Sequence, residues 1–203
     1  MISKIKSIAL YGAVLALLGM YSIRPASAQQ TNMTGNINIF FGQKLLDKDD
    51  WEPVEKQTEF GIEADLKQVD WPVSVVIGYS RSNDSGTDEY DPPMDAKGTT
   101  TELTIGAKKI WDQPSGMHPF FAGGLAFVSA DVEAEIHTEH FWMNAKDSGD
   151  ALGFWLGAGL YWTIAEAFNV GLSLRYSDAS VDLMDESTKA GGFHYGVIAG
   201  YHF

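Results

Sequence analysis

The sequence predicts an all-β protein, an eight-stranded antiparallel up-and-down transmembrane β-barrel with four long external loops and three short periplasmic turns. Three observations predict it. Apolar residues alternate with period two in eight separate segments, and no stretch sustains a 3.6-residue period. Each segment runs about 9 to 13 residues, which suits a tilted strand crossing a bilayer and exceeds the ~5 to 6 of an ordinary globular strand. The connections alternate long and short, which gathers long loops at one end and tight turns at the other.

In chain order, residues 1–28 read as an export signal. Lys4 and Lys6 precede the apolar run from Ile8 to Met20, and Ala26, Ser27 and Ala28 supply the small residues cut by signal peptidase. That run is shorter than the ~20 apolar residues of a spanning helix. Residues 29–203 are then the barrel domain. Its strands are expected at 35–44, 58–66, 73–82, 100–110, 119–130, 151–163, 168–177 and 192–203. Long loops are expected over 45–57, 81–99, 131–150 and 178–191, and turns over 67–72, 111–118 and 164–167.

The two faces of the segments differ. In the second, Phe60, Ile62, Ala64 and Leu66 oppose Glu59, Gly61, Glu63 and Asp65; in the seventh, Val170, Leu172, Leu174 and Tyr176 oppose Asn169, Gly171, Ser173 and Arg175. A soluble barrel turns the aliphatic face inward, whereas a membrane barrel turns it to lipid. Gly124, Gly157, Gly159, Gly171, Gly196 and Gly200 all lie on the polar face. On a solvated surface they weaken strands without packing gain, but inside a narrow barrel they leave room for Trp155, Phe120, Tyr161 and Arg175. The aliphatic face is therefore expected to meet lipid. Phe41, Trp162, Phe168, Tyr176, Tyr201 and Phe203 then form interfacial girdles.

The stretches HPFFAGGLAFV, GFWLGAGLYWTI, FNVGLSLRYS and the terminal GVIAGYHF resemble small eight-stranded outer-membrane barrels, the group containing the OmpA transmembrane domain, OmpX and OmpW. The likeness is that of a structural class and carries no catalytic motif. It implies the outer membrane of a Gram-negative bacterium as location. It also implies the barrel-assembly machinery as a partner, with Tyr201 and Phe203 as the assembly signal.

Charge narrows the partners. Removing residues 1–28 takes away Lys4, Lys6 and Arg24 and no acid, so the formal charge of −13 becomes −16. No basic stripe remains to track a phosphate backbone, which excludes nucleic acid. No cysteine is present, so no disulfide supports the exported chain. Outer-membrane lipid and lipopolysaccharide are the expected surroundings. The acidic external loops are expected to recruit divalent cations weakly, in the ~10⁻⁴ to 10⁻³ M range. The extracellular ligand is unspecified.

Candidate chemistry lies inside the barrel. Glu63, Glu102, Lys108, Arg175 and His194, with Glu59, Asp65, Lys44 and His202, face inward and are expected to pair as a structural polar network. Glu63 and Glu102 are the expected carboxylate partners of Arg175. The segment DVEAEIHTEH, residues 131–140, reads as an acidic rim extending the fifth strand, and no metal site or cofactor is assigned. His137 and His140 fall on opposite faces. LRYSDAS, residues 174–180, is similar to a strand of lipid A deacylases, but Asp178 stands where the base would be, which argues against an enzyme. A structural and interaction barrel with a filled interior is the expected function. The alternative is a narrow porin-like channel for small or apolar solutes, as in OmpW-type barrels.

Overall fold

Period-two alternation makes two-faced ribbons, and here eight of them close into a ring. The computed structural model describes residues 33–88, 94–137, 142–184 and 186–203. Its wall is β1 (Met33–Leu45), β2 (Lys56–Gln68), β3 (Ser74–Asp88), β4 (Met94–Ile110), β5 (Met117–His137), β6 (Trp142–Ile164), β7 (Phe168–Asp178) and β10 (Gly192–His202). All neighbours are antiparallel, and β1 pairs with β10 to close the barrel. Phe203 is tied in by two backbone hydrogen bonds with Gly35, at 2.9 and 3.0 Å, so the last strand leaves no frayed edge.

The aliphatic face is outside. Leu172, Leu152 and Val197 are exposed, whereas Asn169, Glu59 and Lys44 are buried. A soluble barrel would show the reverse. Phe60, Tyr79, Phe154, Tyr176 and Phe193 ring the outer end of this apolar wall, and Trp71, Trp111, Trp162, Phe168 and Tyr201 ring the periplasmic end. Glycines on the inner face make room for rings: a Cβ on Gly159 would lie 2.6 Å from the Phe120 ring.

Two hairpins run further than expected. β3 and β4 stay paired up to Asp88↔Met94, and β5 and β6 up to His137↔Trp142. The external connections there shrink to residues 89–93 and 138–141, which lie outside the described residues. Asp84, Ser85 and Gly86 have turn chemistry, yet the pairing continues through them because both faces of the extension find suitable surroundings. Its outer face is polar and largely solvated (Asn83, Lys97, Ser148), while its inner face is small and apolar (Ala96, Ala130, Val132, Ala151).

That inner face is covered by the other two connections. Between β1 and β2 lies α1 (Lys48–Trp51), and between β7 and β10 lies the hairpin of β8 (Ser180–Leu183) and β9 (Glu186–Lys189). Leu46, Trp51 and Val54 from the first and Ala179, Val181, Leu183 and Ala190 from the second form one buried apolar cluster with Ala130. Together they make a lid. At the opposite end, the turn from β6 to β7 is only Ala165–Ala167, with Ala165 and Glu166 at φ 51 and 62.

Candidate functional site

The inward positions of the wall fall into two polar clusters separated by an apolar layer. In the upper cluster, Lys44 Nζ donates to Glu102 Oε1 at 2.7 Å, Thr100 Oγ1 at 3.0 Å and the backbone oxygen of Ala190 at 2.8 Å. Arg175 Nη2 donates to Glu59 Oε1 at 2.7 Å and Ser80 Oγ at 2.9 Å, and lies 3.5 Å from Glu102. His194 is wedged between the two carboxylates. Its Nδ1 lies 2.7 Å from Glu59 Oε2 and 3.0 Å from Arg175 Nη2. A carboxylate only accepts, so Nδ1 donates to Glu59 and the arginine contact is a close approach.

The lower cluster is built around Lys108. Its Nζ donates to Glu63 Oε1 at 2.7 Å and Asp65 Oδ2 at 3.0 Å, and sits 4.4 Å from the centroid of the Phe120 ring. Asn36 donates to Asp65 at 2.9 Å, and Asn169 donates to Asn36 at 2.8 Å. His202 Nδ1 is 3.0 Å from Asn36. Each buried charge therefore faces an opposite charge, as the low-dielectric interior requires.

Glu63, Glu102, Lys108, Arg175 and His194 thus divide between the clusters. Arg175 does not meet Glu63: that carboxylate is drawn to Lys108, and Glu59 takes its place, because the register sets Arg175 beside His194 one level higher. Between the clusters lie Phe40, Trp155, Phe120 and Ile198, around a cavity of about 40 Å³ that Arg175, Glu63 and Asn38 also line. It has room for water and for nothing larger. Below the lower cluster a vestibule of about 310 Å³ opens, lined by Thr34, Asp112, Tyr161 and His202, with His118 stacked on Tyr161 at 4.9 Å.

The alternation that turns Asn169, Gly171, Ser173 and Arg175 inward also turns Ser177 inward, but it does not announce what Ser177 meets. Its Oγ lies 3.0 Å from His194 Nε2, which completes a serine, histidine and carboxylate line with Glu59. The signal was the strand register, since the histidine comes from β10 and not from the serine's own strand. The resemblance to a catalytic triad stops at the direction of the serine's hydrogen bond. Ser177 donates its proton to Glu102 Oε1 at 2.9 Å, and His194 Nε2 is 3.4 Å from that same carboxylate. With its own hydrogen directed to Glu102, Ser177 Oγ accepts from His194 Nε2 and does not offer that ring a proton. Ser177 is also 1% exposed, with Gly192 N above it at 3.2 Å.

Among the described residues no set of three histidine, cysteine or carboxylate side chains is arranged to hold a metal ion. Glu139 and His140 lie outside the described residues, as does the side chain of His137. At the rim, Glu133 pairs with Lys146, whose hydrogen bond holds the carboxyl below its ordinary value. Asn144 donates to Glu135 at 3.0 Å, and Thr87 to Asp95 at 2.7 Å.

Solved structures show the same fold. Ail, the attachment invasion locus protein of Yersinia pestis, solved with the heparin analogue sucrose octasulfate, aligns with a TM-score of 0.55 and 17% identity over 85% of this chain and 99% of its own. A major outer membrane protein from Thermus thermophilus aligns with a TM-score of 0.57 and 8% identity over 84% of this chain and 98% of its own. Neisserial surface protein A aligns with a TM-score of 0.50 and 10% identity over 84% and 95%. No curated protein matches the sequence. Residues 13–203 match the family described as outer membrane protein beta-barrel domain. The closed wall with its apolar outside and polar inside is the architecture of an outer-membrane barrel, and the chain belongs to that family as a protein of the Gram-negative outer membrane.

Proposed function

We propose that this protein is a filled, non-catalytic barrel with a structural and interaction role, anchoring an acidic extracellular sheet in the outer membrane. The observation that carries this reading is the layered interior: two ion-paired clusters, an apolar layer between them and a cavity of only about 40 Å³. An ion crossing it would have to break buried pairs and then dehydrate against Phe40, Phe120 and Ile198. The polar network of Glu63, Glu102, Lys108, Arg175 and His194 is structural in this reading. Ser177 serves the same network, which leaves no hydrolytic role.

Residues 1–28 direct export, and Tyr201 with Phe203 are read by the barrel-assembly machinery. Outside, the extended sheet presents Asp95, Asp131, Glu133, Glu135 and Asp150 against Lys97 and Lys146. The sulfated sugar in the Ail structure is a dense polyanion, and this rim repels such a ligand. A partner of opposite charge, or lipopolysaccharide engaged through weakly held divalent cations, fits the rim instead. Steady conductance across planar bilayers tests the reading. The refolded full-length chain should give none above background, and resolved, lasting steps would establish the alternative, a narrow channel for small or apolar solutes. The 310 Å³ vestibule and the central cavity are the features that favour that alternative.

A further inference from the structure

We propose that the two lid segments and the upper polar cluster form one latch, with Lys44 as the pin they share, so that the extracellular mouth opens only when Lys44 gives up either its bond to the Ala190 oxygen or its pair with Glu102. The proposal rests on the filled-interior reading above and adds a moving part to it.

The lid is held from two directions. Across its top, the first and last connections are clasped together: Trp51 Nε1 donates to the Lys189 backbone oxygen at 2.7 Å, Lys189 N to Asp50 Oδ2 at 2.8 Å, and Lys189 Nζ to Asp47 Oδ2 at 2.8 Å. Trp51 is 2% exposed, so the two segments move as a unit or part with a large apolar loss. Underneath, the lid reaches the wall through the residue that follows Lys189. The Ala190 oxygen accepts from Lys44 Nζ, which also holds Glu102 and Thr100.

Lys44 therefore spends all three of its donors, two on the wall and one on the lid. Lifting the lid orphans one donor of a fully buried ammonium. The alternative is for Lys44 to follow Ala190 upward, which leaves Glu102 with Arg175, His194 and the Ser177 hydroxyl. Either way the mouth and the cluster change together. The groups that face Lys44 from the surrounding strands are Glu102 and Thr100 on β4, with Ser177 on β7 joined to Glu102. Nothing comparable links Lys108 to a connection, since both of its ionic partners lie on β2.

The chain has no cysteine, so a single engineered thiol reports on opening without background. Ala130 is fully buried beneath the lid, and Ala122 is buried deeper, against the central cavity. Ala130→Cys in the refolded full chain is exposed to a charged methanethiosulfonate. Its modification rate follows the open population. Ala130→Cys should react slowly, and Lys44→Met or Trp51→Ala should each raise the rate about tenfold or more, as loss of one charge-assisted bond or one buried ring implies. Combined, their effects should multiply, up to the rate of a fully open thiol, because both act on one closed–open equilibrium. Lys44→Arg should keep the slow rate, and Lys44→Gln carries the test if Lys44→Met does not refold. An unchanged rate in the Lys44→Met and Lys44→Gln variants would overturn the latch. Fast modification of Ala122→Cys in the unaltered lid would instead overturn the filled interior, so the two failures are distinguishable.

Discussion

The two ends of the barrel are finished in different ways. At the extracellular end four strands run beyond the apolar wall, and their inner face needs cover, so two connections fold over it into a lid with its own buried cluster. At the periplasmic end the strands stop at the aromatic ring, short turns join them, and the interior ends in an open vestibule of about 310 Å³. The difference follows from strand length. A strand that ends at the interface needs only a turn, whereas one that continues into water with an apolar inner face has to bury that face. Each end also has its own charge cluster: the ammonium of Lys44 in the upper one bonds to a connection, whereas both ionic partners of Lys108 in the lower one lie on β2.

Removing Lys108 tests that separation with the largest effect. Lys108→Met leaves Glu63 and Asp65 without their cation in a buried site, which costs about 3–5 kcal/mol by analogy with broken buried pairs. Unfolding by urea in lipid should shift accordingly. The lid should stay shut, so a thiol at Ala130 should remain as protected as before at denaturant concentrations below the transition. Exposure of Ala130 in that variant would show that the two clusters act as one.

The fold class, the number of strands, the lipid-facing side and the short turns are legible in the sequence because a membrane wall imposes period two on every segment regardless of tertiary detail. The strand extensions are less so. Asp84, Ser85 and Gly86 carry turn composition, yet they stay paired to β4, with Pro53 over Gly86 and Val54 and Trp51 over the facing Gly98. The inward set of charges is equally readable from alternation, but which charge meets which is not. Pairing depends on register and stagger around the ring, and that is how Arg175 comes to Glu59 while Glu63 goes to Lys108. The lid left its trace in Leu46, Trp51, Val54, Val181 and Leu183, apolar residues in segments otherwise acidic, which composition alone assigns to solvated loops.

Acid should affect one end first. Asp47 titrates below its ordinary value of 3.8 because Lys189 donates to it and Asp49 N–H adds a second bond. A carboxyl whose folded value is depressed gives stability that is present above its unfolded value and lost as pH falls through the folded one. The clasp is exposed, so the effect is small. Modification of a thiol at Ala130 should be flat between about pH 6 and 8 once corrected for thiolate fraction, and local opening should rise only below about pH 4, as followed by hydrogen exchange. A rise near pH 6 would place the sensitive group elsewhere than in this clasp.

The smallest expected effect compares the turns themselves. Ala165 and Glu166 both have positive φ, and Ala167 N donates to the Ile164 oxygen at 3.3 Å, so a turn of the mirror-image type lies within the three-residue connection. Such turns favour glycine at the second position, because a Cβ there meets the backbone at roughly 1 kcal/mol. Glu166→Gly should therefore raise the stability of the whole barrel by about 0.5 kcal/mol, part of the relief being offset by the greater freedom of glycine in the unfolded chain. Met184, in the turn of the lid hairpin, has φ 52. Met184→Gly relieves the same strain, yet the lid opens without unfolding the wall, so the gain should appear as slower modification at Ala130 and leave the urea midpoint where it was. A midpoint shift of equal size in both variants would mean that the lid and the wall melt together, and the two ends of the barrel would then differ in shape but not in cooperativity.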